Sequence, residues 1–538
     1  MPLRWAYLKR VVAGAIFGLY MGHLLYFLNP QVDITPLRLA MVTLVYGLIC
    51  GVVFGSALWG FRLLRVRLLE HGQPDTNWRA HGFGFVVLAA FIAAAVYWIH
   101  VDVLRIYLPI AAWRVLAKAT NLITVTAFLL LILWIAERNA DRRRARIIFG
   151  AGILLIAVSS FFLYQRRESY RVEKRNVVVA DIGTIAGKRP VILVAVRNLP
   201  YDWIVTMSGE GVLPFFERGA RESYFTRLEP FPTTSSRALW ASLATGKLPY
   251  RHGITGRFSY RTPLNGRDPS ERFLLLPSGV GFRTWGLIPP VKRISSTLPS
   301  GDALPIWSLF SRLGLHARVI TWPATGPRAQ QPSSPLPPGV AQRFTSAKVR
   351  AHLAADIAAL HSGMQSGADD LTVVTVEGFA ETQRELDVWS NELRSSSSRR
   401  GETLRAYAQQ IDRLIGELAQ ANREHMIVVC SPTAVSSPAL PDTPWSFVLQ
   451  GLRNRDPGAD DGFLLIAGPG AMKRPNPSPA FVADVVPTLL FAAGLPVGRD
   501  MDGRIISEAF ADEFLLRTTL SAIQTYEAEQ LVVRRRGT

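Results

Sequence analysis

Ile192-Leu-Val-Ala-Val-Arg-Asn-Leu-Pro-Tyr-Asp-Trp203 packs five apolar residues into one run, then breaks on Arg197-Asn198 and a proline. A run this short, apolar on both alternating faces and closed by a breaker, predicts a fully buried strand. The same pattern recurs at Ala317–Thr321, Leu371–Val376, Met426–Cys430 and Phe463–Ala467, and helical patterns interleave at Gly211–Gly219, Thr403–Leu418 and Phe481–Ala493. Apolar strands alternating with helices predict an α/β domain with a mostly parallel central sheet covered on both faces. Such sheets present ligands at the carboxyl ends of their strands.

Three strand ends therefore carry the functional reading. The first is Arg197-Asn198. The second is Phe231-Pro-Thr-Thr-Ser-Ser-Arg-Ala-Leu-Trp240, where a hydroxyl run opens a helix. A hydroxyl at a helix N-terminus can serve as a nucleophile, because the positive helix end favours phosphate and alkoxide. It can equally be a helix cap, the commoner use of Ser and Thr. The third is Val428-Val-Cys-Ser-Pro-Thr-Ala434.

The 538 residues before and after this sheet are not uniform. Residues 1–175 hold 21 Lys and Arg against 8 Asp and Glu, a net +13 of the chain's +19. The basic excess thus flanks apolar segments, which points to a membrane and away from nucleic acid. Five uncharged apolar stretches are expected to span a bilayer: 11–28, 39–61, 82–101, 119–136 and 147–165. At ~1.5 Å per residue each reaches across a hydrocarbon core of ~30 Å. Gly47, Gly51 and Gly55 form a small-residue face for close helix approach. Basic residues concentrate before the first stretch, between the second and third, and between the fourth and fifth. That distribution predicts a cytoplasmic N-terminus and an extracytoplasmic large domain in a multi-pass protein of a bacterial inner membrane. Few polar groups lie inside the spans, against a transporter or channel. Cys50 and Cys430 both lie in apolar runs and predict neither a disulfide nor a metal site.

The resulting division is a five-helix membrane domain (1–165), a linker (166–189), the α/β domain (190–510) and a helical tail (511–538). The basic end of the tail, Val532-Val-Arg-Arg-Arg536, is a possible contact for anionic lipid.

The large domain resembles the type I phosphodiesterase/nucleotide pyrophosphatase branch of the alkaline phosphatase superfamily. The resemblance rests on Ile192–Trp203, Glu229–Ser236 through Ala244-Thr-Gly-Lys-Leu-Pro-Tyr-Arg-His-Gly-Ile254, Ile306–Gly314 with Thr321–Pro327, Asp461–Gly470, Asp484–Leu490 and Gly494–Gly503. It implies a two-metal phosphoesterase fold with a Thr or Ser nucleophile, which falls on Ser236. The metal-binding positions it implies fall on Arg197, Ala380, Arg384, Ser431 and Pro432, and a last His finds only Leu452-Arg453-Asn454. His252 matches a family His that is not a metal ligand.

Two adjacent divalent ions need several carboxylates and imidazoles, whereas Ala, Pro and Ser supply none and Arg repels a cation. The expectation is a pseudoenzyme without metal cofactor. In it Arg197, Arg384, Arg237 and Ser236, with Arg453 nearby, hold a phosphate or carboxylate. Alternatively, these arginines fill the emptied pocket and pair with acids such as Glu377 or Glu381. The competing expectation is an active phosphodiesterase or phosphotransferase acting on lipid head groups or nucleotides, with Ser236 as nucleophile and zinc or manganese bound. The layout, membrane helices followed by an outer domain, also resembles lipoteichoic-acid synthases and phosphoethanolamine transferases. That suggests the bilayer, an anionic lipid head group or envelope polymer, or other membrane proteins as partners.

Overall fold

The computed structural model describes residues 78–103, 110–138 and 140–167, with isolated helical positions before them. Beyond these it describes 177–182, 189–231, 236–254, 258–261, 292–295, 298, 303–323, 336, 338–365, 367, 369–388, 399–432, 434–435, 459–528 and 530–535. The chain divides into two compact units, Met1–Glu173 with Tyr260–Lys292, and Lys174–Ser259 with Arg293–Thr538.

In the first unit, helices run over Trp78–Val103, Ile110–Arg138 and Arg142–Arg167. Asp141 caps the last of them, accepting from the Arg144 amide at 2.9 Å. Against the five spans expected, two segments among the described residues, Leu116–Glu137 and Arg143–Leu163, are long and apolar enough to cross a membrane. The first two expected spans lie largely outside the described residues. The third lies within helix Trp78–Val103, whose apolar stretch among the described residues is Val86–Ala95. Val87, Ala90, Ala127 and Leu130 pack together there. The helix also approaches its neighbour closely at Gly84, where an added Cβ would stand 3.0 Å from the Trp134 ring nitrogen. The fourth helix begins earlier than expected and absorbs the stretch around Arg114. Its threonines remain compatible with an apolar setting because Thr120, Thr124 and Thr126 donate to carbonyls four residues back. At Gly55 an added Cβ would stand 2.6 Å from the Val11 Cα, so backbone proximity does use that glycine.

In the second unit a seven-stranded sheet is built from β1 (Val191–Val196), β2 (Tyr224–Glu229), β3 (Ala317–Val319), β4 (Leu371–Val376), β5 (Met426–Ser431), β6 (Gly462–Ala467) and β7 (Ala480–Phe481). Its order is β7-β2-β6-β5-β1-β4-β3. Only β6 runs antiparallel to its neighbours. Strands β1, β4 and β5 are buried at every residue, as their largely apolar sequences favour. Alternation then sends Ile192, Val194 and Val196 to one face. There they join Trp203, Phe216, Leu353, Phe379, Tyr407 and Ile415 from the covering helices.

Those helices are held by buried carboxylates. Both oxygens of Asp412, in helix Arg399–Ala421, accept the Phe215 and Phe216 amides at 3.0 Å, capping helix Pro214–Glu222. Burial raises the Asp412 pKa to about 6, against the lowering effect of those amides and of Arg218. A carboxyl raised in the folded state contributes stability that is complete below about pH 4 and lost as pH rises through about 6. The span of that loss is up to about 3 kcal/mol. We expect Asp412→Asn to flatten the pH dependence of the denaturation midpoint between pH 4 and 6, read by urea titration at stepped pH. An unchanged slope would contradict this assignment.

The C-terminal tail differs from its helical expectation. Among its described residues helix covers Asp512–Arg517, and Gln530–Arg535 is a strand pairing in parallel with Val177–Ile182, from Val177↔Gln530 to Ile182↔Arg535. The expected linker thus contains a strand too. Both segments carry β-branched runs, Val177-Val-Val and Val532-Val, which favour a pleated partner over an isolated helix.

Candidate functional site

Arg197, the first residue after β1, keeps its strand ladder, its amide donating to the Val376 carbonyl at 2.9 Å. Its guanidinium then reaches across to the end of β4, 3.4 Å from Glu381 and 3.9 Å from Glu377. Arg384 closes the chain of charge, 2.8 Å from the other Glu381 oxygen and one helical turn away. Two of the expected anion-site arginines therefore share one carboxylate, and the four side chains balance in charge.

Helix Gly378–Leu386 carries Ala380, Glu381 and Arg384, so its placement sets the network. Asp356 positions it: Oδ1 accepts the Glu377 and Gly378 amides at 3.2 and 3.0 Å, and Oδ2 accepts the Tyr407 hydroxyl at 2.7 Å. Burial and the adjacent Asp356 charge push the Tyr407 hydroxyl far above its ordinary pKa, so it stays a donor. Ala380, in helix Gly378–Leu386, is completely buried.

At the end of β5, Ser431 is fully buried and its hydroxyl accepts the Leu199 amide at 3.3 Å. It thereby ties down the turn after β1, where Asn198 adopts a left-handed φ of 64°, a conformation Asn tolerates. Pro432 is buried beside it. Thr433 and Leu452-Arg453-Asn454 lie outside the described residues. A second ion network lines the same edge: Arg227 pairs with Asp202 at 2.8 Å and with Asp461 at 3.5 Å, and lies over the Tyr201 ring.

Ser236 is the first residue of helix Ser236–Thr245 and is half-buried, as is Arg237. The hydroxyls of Thr233–Ser235 before it lie outside the described residues. The far end of this helix is fixed elaborately. Gly246 takes a φ of 66°, and an added Cβ there would stand 3.0 Å from Pro487. Lys247 is 3% exposed, with its ammonium 2.6 Å from both Asp500 and Glu527. Leu248 and Arg251 both bond Asp502. His252 is buried: its Nδ1 accepts the Ile254 amide at 3.0 Å, so its Nε2 carries the proton and donates to Ser242 Oγ at 2.9 Å. This histidine is structural.

Sequence reasoning singled out the Gly246–Gly253 and Gly494–Gly503 passages separately but did not join them. It missed the Lys247–Asp500–Glu527 triad, the Asp356–Tyr407 clamp and the Arg227 pairs. A usable signal existed for the first: a lysine flanked by apolar and glycine residues needs buried acids.

A divalent metal pair does not fit the donors at these strand ends. The carboxylates at this edge, Glu377, Glu381, Asp202 and Asp461, each lie within ion-pair distance of Arg197 or Arg227. Among the described residues no group of three or more His, Cys, Asp or Glu side chains is placed to hold a metal ion.

Residues 191–435 match the type I phosphodiesterase / nucleotide pyrophosphatase family, the resemblance read from the sequence. Human ectonucleotide pyrophosphatase / phosphodiesterase 5 aligns at 13% identity over 60% of this chain and 100% of its own, with a TM-score of 0.39. The murine protein of that name aligns at 12% identity over 60% and 100%, with a TM-score of 0.39. A phosphonate monoester hydrolase from Silicibacter pomeroyi aligns at 15% over 59% and 76%, with a TM-score of 0.34. No curated protein matches the chain.

Proposed function

We propose, taking residues 191–435 as a type I phosphodiesterase / nucleotide pyrophosphatase segment, that this protein is a membrane-anchored, non-hydrolytic member of that fold whose strand-end surface scaffolds a partner in the cell envelope. One observation carries the reading: the Arg197–Glu381–Arg384 network occupies the strand ends where phosphoester chemistry would need metal-binding carboxylates and imidazoles. The same network separates the two binding modes. An anion seated on Arg197 and Arg384 must displace or bridge Glu381, losing ion pairs that solvent screening holds to about 1 kcal/mol each. A protein partner meets a surface already neutral and needs no such exchange.

Membrane anchoring is supported by the two crossing-length helices and by what they expose. Ile132, Ile147, Leu154 and Phe161 are 57–66% exposed on those helices, a density of bare apolar surface that water does not tolerate and lipid does. The orientation with the large unit extracytoplasmic rests on the loop charges alone.

The test is hydrolysis of bis(4-nitrophenyl) phosphate by the purified full chain with zinc or manganese supplied. We expect background rates that Ser236→Ala leaves unchanged. Turnover abolished by Ser236→Ala would restore the hydrolase reading, with Ser236 as nucleophile.

A further inference from the structure

A groove of about 530 Å³ opens between helices Pro214–Glu222 and Arg399–Ala421, within the size range of small-ligand sites. It is remote from the strand ends. Gly416 and Glu417 lie in the last turns of helix Arg399–Ala421, which leads through 422–425 into Met426, the amino end of β5. A six-residue strand, ~20 Å long, separates that edge from Arg197.

The lining is basic, with the guanidiniums of Arg218, Arg343 and Arg413 set against the carboxylates of Asp412 and Glu417. Three of these five charges are already committed. Arg413 bonds Glu417 at 2.9 Å, and Asp412 spends both oxygens on the Phe215 and Phe216 amides. Arg218 feels Asp412 only through space. Among the described residues neither Arg218 nor Arg343 has a carboxylate at ion-pair distance, and both side chains are solvent-facing. The floor is different in kind. Gly416 presents no side chain, so Phe215 lies against bare helix, 3.5 Å from where a Cβ would stand. The Gln410 amide adds a hydrogen-bonding group to the rim.

We propose that this groove is a binding site for a small organic anion, its phosphate or carboxylate held by Arg218 and Arg343 and its apolar part lying on Phe215 and Gly416. The planar fork of each guanidinium matches either anion with two parallel hydrogen bonds. The phosphate can belong to a soluble ester or to a lipid head group, and the chemistry is shared. The proposal does not depend on whether the strand ends are catalytic.

The test is calorimetric titration of the full chain in phosphatidylcholine nanodiscs with glycerol 3-phosphate. We expect saturable binding, weakened at least about tenfold by Arg218→Gln with Arg343→Gln and unaffected by Arg384→Gln. Both substitutions fall on exposed side chains, so an unchanged melting temperature is expected to accompany the loss. Repeating the titration in discs containing phosphatidylglycerol separates the sources: competition identifies the head group, and equal affinity a soluble ester. Binding retained in the double variant, binding lost in Arg384→Gln instead, or no saturable binding in the wild type would overturn the proposal.

Discussion

Lys247→Met is expected to lower the unfolding free energy of the large unit by about 3–5 kcal/mol, because it strands two carboxylates around a buried methionine. Lys247 is 3% exposed and touches Asp500 and Glu527, each at 2.6 Å. The Thr525 hydroxyl lies 2.8 and 2.7 Å from the same two acids, and the other Glu527 oxygen accepts the Leu304 amide. The triad therefore joins three distant parts of the chain to the end of the helix that begins at Ser236. Burial alone would raise the Asp500 pKa, but the Lys247 charge and its hydrogen bonds carry it below the ordinary value. A carboxylate depressed in the folded state contributes stability present above its unfolded pKa and lost as pH falls through the folded one. The gap between wild type and Lys247→Met should therefore narrow as pH falls below about 4. Denaturant unfolding of the full chain, followed by tryptophan fluorescence, measures both effects. A loss under about 1 kcal/mol at neutral pH would show that solvent reaches these acids.

Gly378→Ala is expected to cost about 3 kcal/mol, the upper end of the range for forcing an extra methyl into a packed interior. A Cβ at Gly378 would stand 2.2 Å from the Tyr407 hydroxyl, 2.6 Å from Asp356 Oδ2 and 2.7 Å from the His352 carbonyl. The clamp on helix Gly378–Leu386 must open to admit it, which withdraws Glu381 from Arg197. Gly209→Ala is the matched control, since nothing lies within 4 Å of a Cβ there; it should leave the melting temperature unchanged or raised. Equal melting temperatures for Gly378→Ala and wild type would contradict the clamp.

The sheet was legible because burial on both faces forces an apolar run with no alternation, and β1, β4, β5 and β6 each show one. Of the covering helices, Pro214–Glu222 and Arg399–Ala421 were legible, whereas Ala347–Met364 and Gly378–Leu386 were not. The tail was not, because Gln530–Arg535 is a strand only by virtue of pairing with Val177–Ile182, more than 340 residues earlier. Within helix Trp78–Val103 the sequence likewise hid which residues are buried. Ala90, Ala93 and Ala94 look like lipid-facing sequence but are buried.

At the strand ends, residue identity was readable and residue geometry was not. Arg197 and Arg384 stood out as misfits to metal chemistry. Their sharing of Glu381 depends on where Asp356 and Tyr407 hold a helix, and those residues lie 21 positions before and 30 after Glu377. Ser431 showed the opposite problem. Its position suggested a lost ligand, yet its hydroxyl has a backbone amide to satisfy.

The proposed non-hydrolytic function rests on the Arg197–Glu381–Arg384 network at the strand ends. The most direct measurement is the metal content of the full chain purified without chelator and dialysed against zinc or manganese, together with its melting temperature before and after EDTA. The account predicts substoichiometric metal and an unchanged melting temperature. Stoichiometric metal, with a melting temperature that falls on chelation as linkage requires, would contradict it.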